Sequence, residues 1–593
     1  MIIQSLKSLS EPRFGIRFRQ YVDLLARYLR PQAGMVTAVA VLLLANIALQ
    51  LVNPQIIRFF IDEALAGSPV SRLLGAAALF TVIALAQQAV DVLATYTRGR
   101  VGWTATNSLR ADLAKHCLSL DMSFHNDRTP GEMIERIDGD ANELGGFFST
   151  FVANLLANVL LLIGILALLF REEWRAGLAL TLFTGVMLSV LVRMRHVSVA
   201  HSKAERDAST DTFSFIEEQL SGREETWTNN AKPYVDRRFR ELMRRWFRAE
   251  LKAGLMTGIV FNTNGFMFRA GSAIALAVGA YLFIEDLVTV GAVYLIFHYT
   301  SLLRGPVESM TRQLNELQRA TASLIRIYDL FQNQKSVVDG TESLTSPEPY
   351  VRFDRVSFSY GTGDAVLRDV SFDLRPGRVL GVIGRTGSGK TTLARLMVRL
   401  YDPHEGRILL NGEDIRVYGV SDLRERIAMV SQDVRLFHGT IRDNLTFYDR
   451  RVKDKQMLDA LERLGIMPWY KTQRDGLDTR LQSGGTGLSS GQAQLLALSR
   501  VLLKDPSVVV LDEPTSRLDR ATEALIDRAL AELVAGRTAL IIAHHLATVE
   551  RCDDIVVLEA GRVVEQGDRK RLAADPSSRF HQLLQTGLEE ATR

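Results

Sequence analysis

The stretch Gly384-Arg385-Thr386-Gly387-Ser388-Gly389-Lys390-Thr391 decides how this chain is read. It fits G-x-x-x-x-G-K-[ST], the pattern of a phosphate-binding loop. An apolar, β-branched run at 379–383 precedes it, and apolar residues at helical spacing follow over 392–400. A strand that passes through a glycine turn into a helix aims backbone N–H groups and the positive helix end at one point, where phosphate binds. Lys390 is then expected to reach the β- and γ-phosphates, and the Thr391 hydroxyl to ligate Mg²⁺. An ordinary glycine-rich turn is the bland alternative, and the strand–helix context disfavours it.

Downstream, Val508-Val509-Val510-Leu511-Asp512-Glu513 brings two carboxylates to the C-terminal end of an apolar strand, where α/β ligands sit. Asp512 can serve the Mg²⁺ shell and Glu513 can take a proton from the attacking water. Ile541-Ile542-Ala543-His544 repeats the design, with His544 placed to hydrogen-bond the γ-phosphate or the water. Leu488-Ser489-Ser490-Gly491-Gln492 precedes a helical run at 493–503 and offers a second phosphate-facing surface. Tyr360 ends a strand-like run about two dozen residues before the phosphate loop, where an aromatic ring can stack on a purine.

At 593 residues the chain exceeds a single core, and short β runs alternating with helices from Val351 onward give an α/β pattern for the C-terminal half. The 71 basic and 67 acidic residues leave a net charge of +4, which gives no support for nucleic acid as a partner. Two distant cysteines, Cys117 and Cys552, suggest neither a disulfide framework nor a metal site.

The N-terminal half is apolar in long blocks. Charge-free runs at 31–57, 73–90, 144–170, 176–192 and 287–303, and a sixth at 253–284 broken only by Arg269, predict six membrane helices. Residues 18–30 alternate an apolar face with Arg17, Arg19, Arg27 and Arg30, predicting an interfacial helix. The N-terminal segment and the connections 91–143 and 193–252 hold six, six and thirteen Lys/Arg, against two, two and none in 58–72, 171–175 and 285–286. The basic connections therefore face the cytoplasm. They keep helical periodicity, so the membrane helices are expected to run well beyond the bilayer, with turns at 127–132 and 220–225. The polar, proline-bearing stretch 334–350 reads as a linker. Arg269 is a functional-site hint; snorkelling or pairing with a carboxylate is the simpler reading.

The ordered set Tyr360, GRTGSGKT, Gln432, LSSGQ, VVVLDE, SRLD and AHH resembles the ATPase domain of ABC transporters. With six membrane helices ahead of it, the chain resembles an exporter-type half-transporter over nearly its full length, akin to bacterial multidrug and lipid exporters. The implied domains are a membrane domain at 1–331, a linker at 332–350 and a nucleotide-binding domain at 351–593. Phe124 through Glu132 and Gln219-Leu220-Ser221-Gly222 resemble the family's two coupling-helix regions. The resemblance implies ATP and Mg²⁺ as cofactors. Tyr360, Gly384 through Thr391 and Thr392 would bind ATP, and Thr391, Gln432 and Asp512 would serve the metal. Glu513, His544 and Gln432 would be catalytic. Ser489, Gly491 and Gln492 would face ATP held by a partner chain, and Asp519 would communicate between the two sites. It also implies an integral membrane protein of the bacterial inner membrane, with its ATPase domain cytoplasmic, that moves an amphipathic small molecule, drug or lipid. A nucleotide-gated or regulatory subunit with low turnover is the alternative.

Three departures stand out. Ser490 replaces the usual first glycine of LSGGQ, and a Cβ there restricts the backbone. Ser483 stands where a glutamate is usual, and His545 replaces a common arginine. An intact Glu513 with an altered signature fits one subunit of a heterodimer, which is favoured; a homodimer that tolerates Ser490 is the alternative.

Overall fold

The computed structural model describes residues 18–147, 152–344, 349–361, 363–482, 487–512, 520–543 and 546–585. Its contacts divide into two compact units, Met1–Leu118 with Gly131–Gln332, and Ser119–Pro130 with Asn333–Arg593. The second thus takes in Ser119–Pro130, a segment inserted between helices of the first that includes residues 127–130 of the turn expected at 127–132.

The first unit is helical. Phe18–Leu29 leads through a short 3₁₀ turn into Ala33–Leu65, followed by Val70–Ser119, Val152–Glu172, Trp174–Ser221 and Lys232–Ile284. Among the described residues, five helices are long and apolar enough to cross a membrane. Three of them hold 50, 48 and 53 residues. At 1.5 Å per residue each reaches about 70–80 Å, more than twice a hydrocarbon core of about 30 Å. The helical periodicity of the long connections is this excess length. Single residues end the hairpins: Glu173 caps Trp174–Ser221 by accepting from the Arg175 N–H, and Gly222 separates that helix from Arg223–Thr228.

The sixth apolar run differs from a continuous helix. Val290–Leu302 spans only 13 residues, and a second helix, Arg304–Gln332, starts after Leu303. Pro306 explains the break, since it has no N–H to give to the carbonyl one turn back. Polar side chains fasten the Val290–Leu302 helix to Ala33–Leu65. Asp62 accepts from the Thr289 hydroxyl and the Gly291 N–H, both at 2.9 Å. The Tyr299 hydroxyl, fully buried, donates to the Leu51 carbonyl at 2.8 Å.

The second unit holds two larger sheets. β1 (Val351–Phe358), β2 (Leu367–Leu374), β4 (Glu405–Leu410) and β5 (Glu413–Asp414) form an antiparallel sheet in the order β2-β1-β4-β5. β3 (Val379–Ile383), β6 (Ile427–Val430), β9 (Val508–Asp512), β10 (Thr538–Ile542), β11 (Asp554–Glu559) and β12 (Arg562–Asp568) form the other, in the order β12-β11-β3-β10-β9-β6. β7 (Gly439–Thr440) and β8 (Arg480–Leu481) make a small ribbon. β3, β9 and β10 are buried at every residue. Apolar clusters cover both faces of that sheet, which is why these strands are uninterrupted apolar runs rather than alternating ones.

Candidate nucleotide site

The parallel pairing of β6, β9, β10 and β3 brings four chain segments to one edge. Ile542 pairs with Asp512 on one side and Val382 on the other, and Val430 pairs with Leu511. The phosphate loop, Ala543, Asp512 and the segment holding Gln432 therefore leave the sheet side by side. Such an edge is where α/β folds bind ligands. Glu513, Asp519, His544, Ser483 and His545 lie outside the described residues.

The loop itself depends on glycine. Gly389, the N-cap of the Lys390–Met397 helix, has φ +104°, a left-handed conformation that side chains disfavour. A Cβ on Gly384 would stand 2.1 Å from the Leu558 carbonyl oxygen. Lys390 is buried, and its ammonium donates to the carbonyls of Gly384 at 2.7 Å and Arg385 at 3.1 Å. The lysine thus curls back over its own loop. The Ser388 hydroxyl is buried with no hydrogen-bond partner among the described residues. An unpaired buried hydroxyl beside a folded-back ammonium is an environment that an anion completes. The Thr391 hydroxyl donates to Asp512 Oδ1 at 3.2 Å, joining the two expected metal-side groups from different elements.

Tyr360 stands over the next turn of the same helix. Its hydroxyl lies 3.1 Å from Thr392 Oγ1 and accepts from Arg395 at 3.3 Å. Its ring meets Phe358 and Tyr401 edge-on, at 5.0 and 5.3 Å between centroids. Arg395 and Tyr401 are additions that the sequence pattern did not signal. Tyr401 in turn accepts from Asn126 Nδ2 at 2.6 Å, so the inserted segment Met122–Asn126 touches the aromatic cluster that holds Tyr360. Asp121 anchors the same segment, accepting from the Ser336 N–H at 2.5 Å, the Ser336 hydroxyl at 2.6 Å and the Val337 N–H at 3.1 Å. Burial pushes the Asp121 pKa up, but these bonds and one from the Ser123 hydroxyl outweigh it and hold the carboxyl below its ordinary range.

At 489–492 the structure shows a capping box. Ser489 Oγ accepts from the Gln492 N–H at 3.2 Å, and Gln492 Oε1 accepts from the Ser489 N–H at 3.0 Å. Both side chains start the Ser490–Lys504 helix. Ser490 is exposed and has helical backbone, which any L-residue adopts, so the restriction expected of its Cβ does not arise. The strict position is Gly491, where a Cβ would come 2.0 Å from Thr522 Cγ2. Gln432 follows β6 and is exposed.

Both halves of the chain match known families. Residues 36–307 match the family described as "ABC transporter transmembrane region", and residues 367–516 match "ABC transporter". An "ATP-dependent lipid A-core flippase" from Burkholderia pseudomallei is 30% identical over 557 residues, covering 92% of each chain. YknV of Bacillus subtilis, an uncharacterized ABC transporter ATP-binding protein, is 29% identical over 93% of this chain and 92% of its own. A solved bacterial Atm1-family ABC exporter with ATP bound superposes with a TM-score of 0.79. It covers 94% of this chain and 99% of its own at 24% identity, a likeness of fold.

Proposed function

Since this chain belongs to the ABC transporter family, we propose that it is a half-transporter exporting an amphipathic small molecule, drug or lipid across a bacterial inner membrane. It is an ATP-driven translocase of the exporter type and an integral membrane protein. The curated relatives named as lipid A-core flippases favour a lipid-like cargo. The ATPase unit faces the cytoplasm, on the side of the basic connections. The proposed domains are 1–331 for the membrane, 332–350 for the linker and 351–593 for the nucleotide.

The observation that carries the reading is the Thr391–Asp512 pair, which joins the phosphate loop to the end of β9 beside the unpaired Ser388 hydroxyl. Gly384 through Thr392 cradle the phosphates, with Lys390 released from its loop carbonyls to the β- and γ-oxygens. Tyr360 stacks on the base. Thr391, Asp512 and Gln432 hold Mg²⁺, which when bound neutralises charge on the β- and γ-phosphates. Glu513 takes the proton of the attacking water, and His544 holds the γ-phosphate or that water. Ser489, Gly491 and Gln492 face ATP on a partner chain, and Asp519 links the two sites. Closing of two such units around ATP turns the membrane half outward, and hydrolysis resets it. The partner is a second half-transporter; the altered LSSGQ beside an intact Glu513 favours an unlike one.

Glu513→Gln keeps the size of the side chain and removes its basicity. It is expected to lower ATP turnover about 10²-fold or more while ATP binding persists. Turnover near that of the unmodified protein would remove Glu513 from this role. In proteoliposomes the intact transporter should accumulate a fluorescent amphiphile against its gradient only with ATP.

A further inference from the structure

Arg500 is a half-buried cation that the nucleotide unit holds with neutral groups. It sits near the end of the Ser490–Lys504 helix, about 15 Å from Ser490 at 1.5 Å per residue. Among the described residues it makes no ion pair, and burial pushes its pKa down to about 10. Its three nitrogens each meet an oxygen of one distant segment instead. Nε donates to the Asn444 carbonyl at 2.6 Å, Nη2 to Asn444 Oδ1 at 2.8 Å and Nη1 to the Arg435 carbonyl at 3.0 Å. The guanidinium also lies 4.9 Å from the centre of the Phe447 ring and 5.8 Å from that of Phe437.

Asn444 gathers the receiving segment. It is buried, its amide donates to the carbonyls of Phe437 at 2.9 Å and Thr440 at 3.1 Å, and its Oδ1 accepts from the Phe437 N–H at 2.9 Å. Phe447 follows the Ile441–Thr446 helix with φ +50°, a left-handed backbone that a bulky side chain disfavours. Arg500 holds its ring there from the neighbouring helix. The same segment starts at the nucleotide edge. Arg435 lies three residues after Gln432, which itself follows β6. The helix that carries Arg500 starts at the other proposed phosphate-facing surface, 489–492. All these contacts lie within one unit of one chain, so none depends on what a partner covers. A buried cation without a carboxylate is a poor source of stability, and an apolar residue of its size is often tolerated in its place. What a planar fork supplies, and a point charge does not, is a fixed angle between the two segments it joins.

We propose that Arg500 is a positioning residue that locks the start of the Ser490–Lys504 helix to the segment following Gln432. A shift of Gln432 on nucleotide binding is then carried through Arg435, Asn444 and the Arg500 fork to 489–492, so the nucleotide held by this chain sets how the chain presents itself to the one held by its partner. The inference rests on the ATPase reading above and adds a residue to it.

The test uses the full chain in nanodiscs, with its co-expressed partner where one is required. Arg500→Met keeps the stem and removes the fork, and Arg500→Lys keeps the charge and loses the plane. Hydrogen exchange is read at 432–437 and 489–496, with and without Mg²⁺ and a non-hydrolysable ATP analogue. The unmodified protein is expected to gain protection at both segments, and Arg500→Met at the first alone, with a melting temperature close to that of the unmodified protein. Arg500→Lys is expected to lose most of the response at 489–496. ATP turnover should fall about tenfold in Arg500→Met while the dissociation constant of the analogue changes less than about twofold. An arginine that merely supports the fold would lower the melting temperature and leave the two responses joined. Protection gained at both segments in Arg500→Met, or lost at both, overturns the proposal. Should Arg500→Met fail to fold, Arg500→Lys decides, and joined responses with unchanged turnover overturn it. No response at either segment in the unmodified protein would sink the nucleotide reading itself, and this inference with it.

Discussion

Gly491 shows how one atom fixes a motif. Its missing Cβ leaves room for Thr522 Cγ2, which would otherwise sit 2.0 Å away. Gly491→Ala must therefore push the 520–534 helix aside, at about 1–3 kcal/mol, and should lower both ATPase rate and melting temperature. Thr522→Ser deletes the clashing methyl. Alone it should be nearly silent, and combined with Gly491→Ala it should restore most of the stability. A double-mutant cycle by thermal denaturation checks this, and strictly additive losses would contradict it. Lys390→Ala is expected to weaken nucleotide binding, measurable as a rise in the ATP dissociation constant, because it removes the cation proposed to reach the phosphates. Lys390, Thr391 and Asp512 were legible in the sequence because each lies at the end of an uninterrupted apolar strand or one turn beyond it. Arg395 and Tyr401 were not. Arg395 reaches a tyrosine 35 residues away, and Tyr401 meets Asn126 across 275 residues, so no local spacing encodes either.

The inserted segment Met122–Asn126 is the element whose placement depends most on a few polar bonds. Asp121 holds it through three bonds to one carboxylate oxygen, and those bonds keep the carboxyl below its ordinary pKa of 3.8. A depressed carboxyl contributes its stabilisation in full above the ordinary pKa. The contribution is lost as pH falls through the lower folded value. Docking is thus expected to be unchanged from about pH 8 to about pH 5 and to loosen only below about pH 4, read by hydrogen exchange of the 122–126 amides. Asp121→Asn should mimic the acidic state at neutral pH and lower protection there by about 1.5–3 kcal/mol, the worth of charged hydrogen bonds. Protection unchanged in that variant would show that the Asn126–Tyr401 contact alone holds the segment. Elements were read from sequence with unequal success. The long helices follow from sustained periodicity, whereas the break at Leu303 turns on one missing N–H at Pro306, inside a run that composition reads as continuous.

At the scale of the molecule, the division of the chain into an apolar helical half and an α/β half was legible because membrane and water select different residues over hundreds of positions. The partner was less legible, because it turns on what Ser490 does to a surface this chain presents to another. Ser490 is exposed at the first turn of its helix in ordinary helical conformation, so it does not impair folding of its own subunit. In the proposed dimer, any effect falls on the ATP that the partner holds. In the proposed heterodimer, this chain's phosphate loop and Glu513 form the strong site with the partner's intact signature, and Ser489 to Gln492 close the weak one. Ser490→Gly should then change ATP turnover by less than about twofold, since the partner's weak site limits its own hydrolysis whatever closes it. In a homodimer both sites contain Ser490, and the same substitution should move turnover at both. The decisive measurement is ATPase rate and oligomeric state of the purified chain, expressed alone and with a second half-transporter, each with and without Ser490→Gly. The chain alone is expected to hydrolyse ATP poorly and to gain activity with its unlike partner. A stable dimer of this chain that hydrolyses ATP and transports without help would instead make the serine a tolerated variant of a symmetric machine.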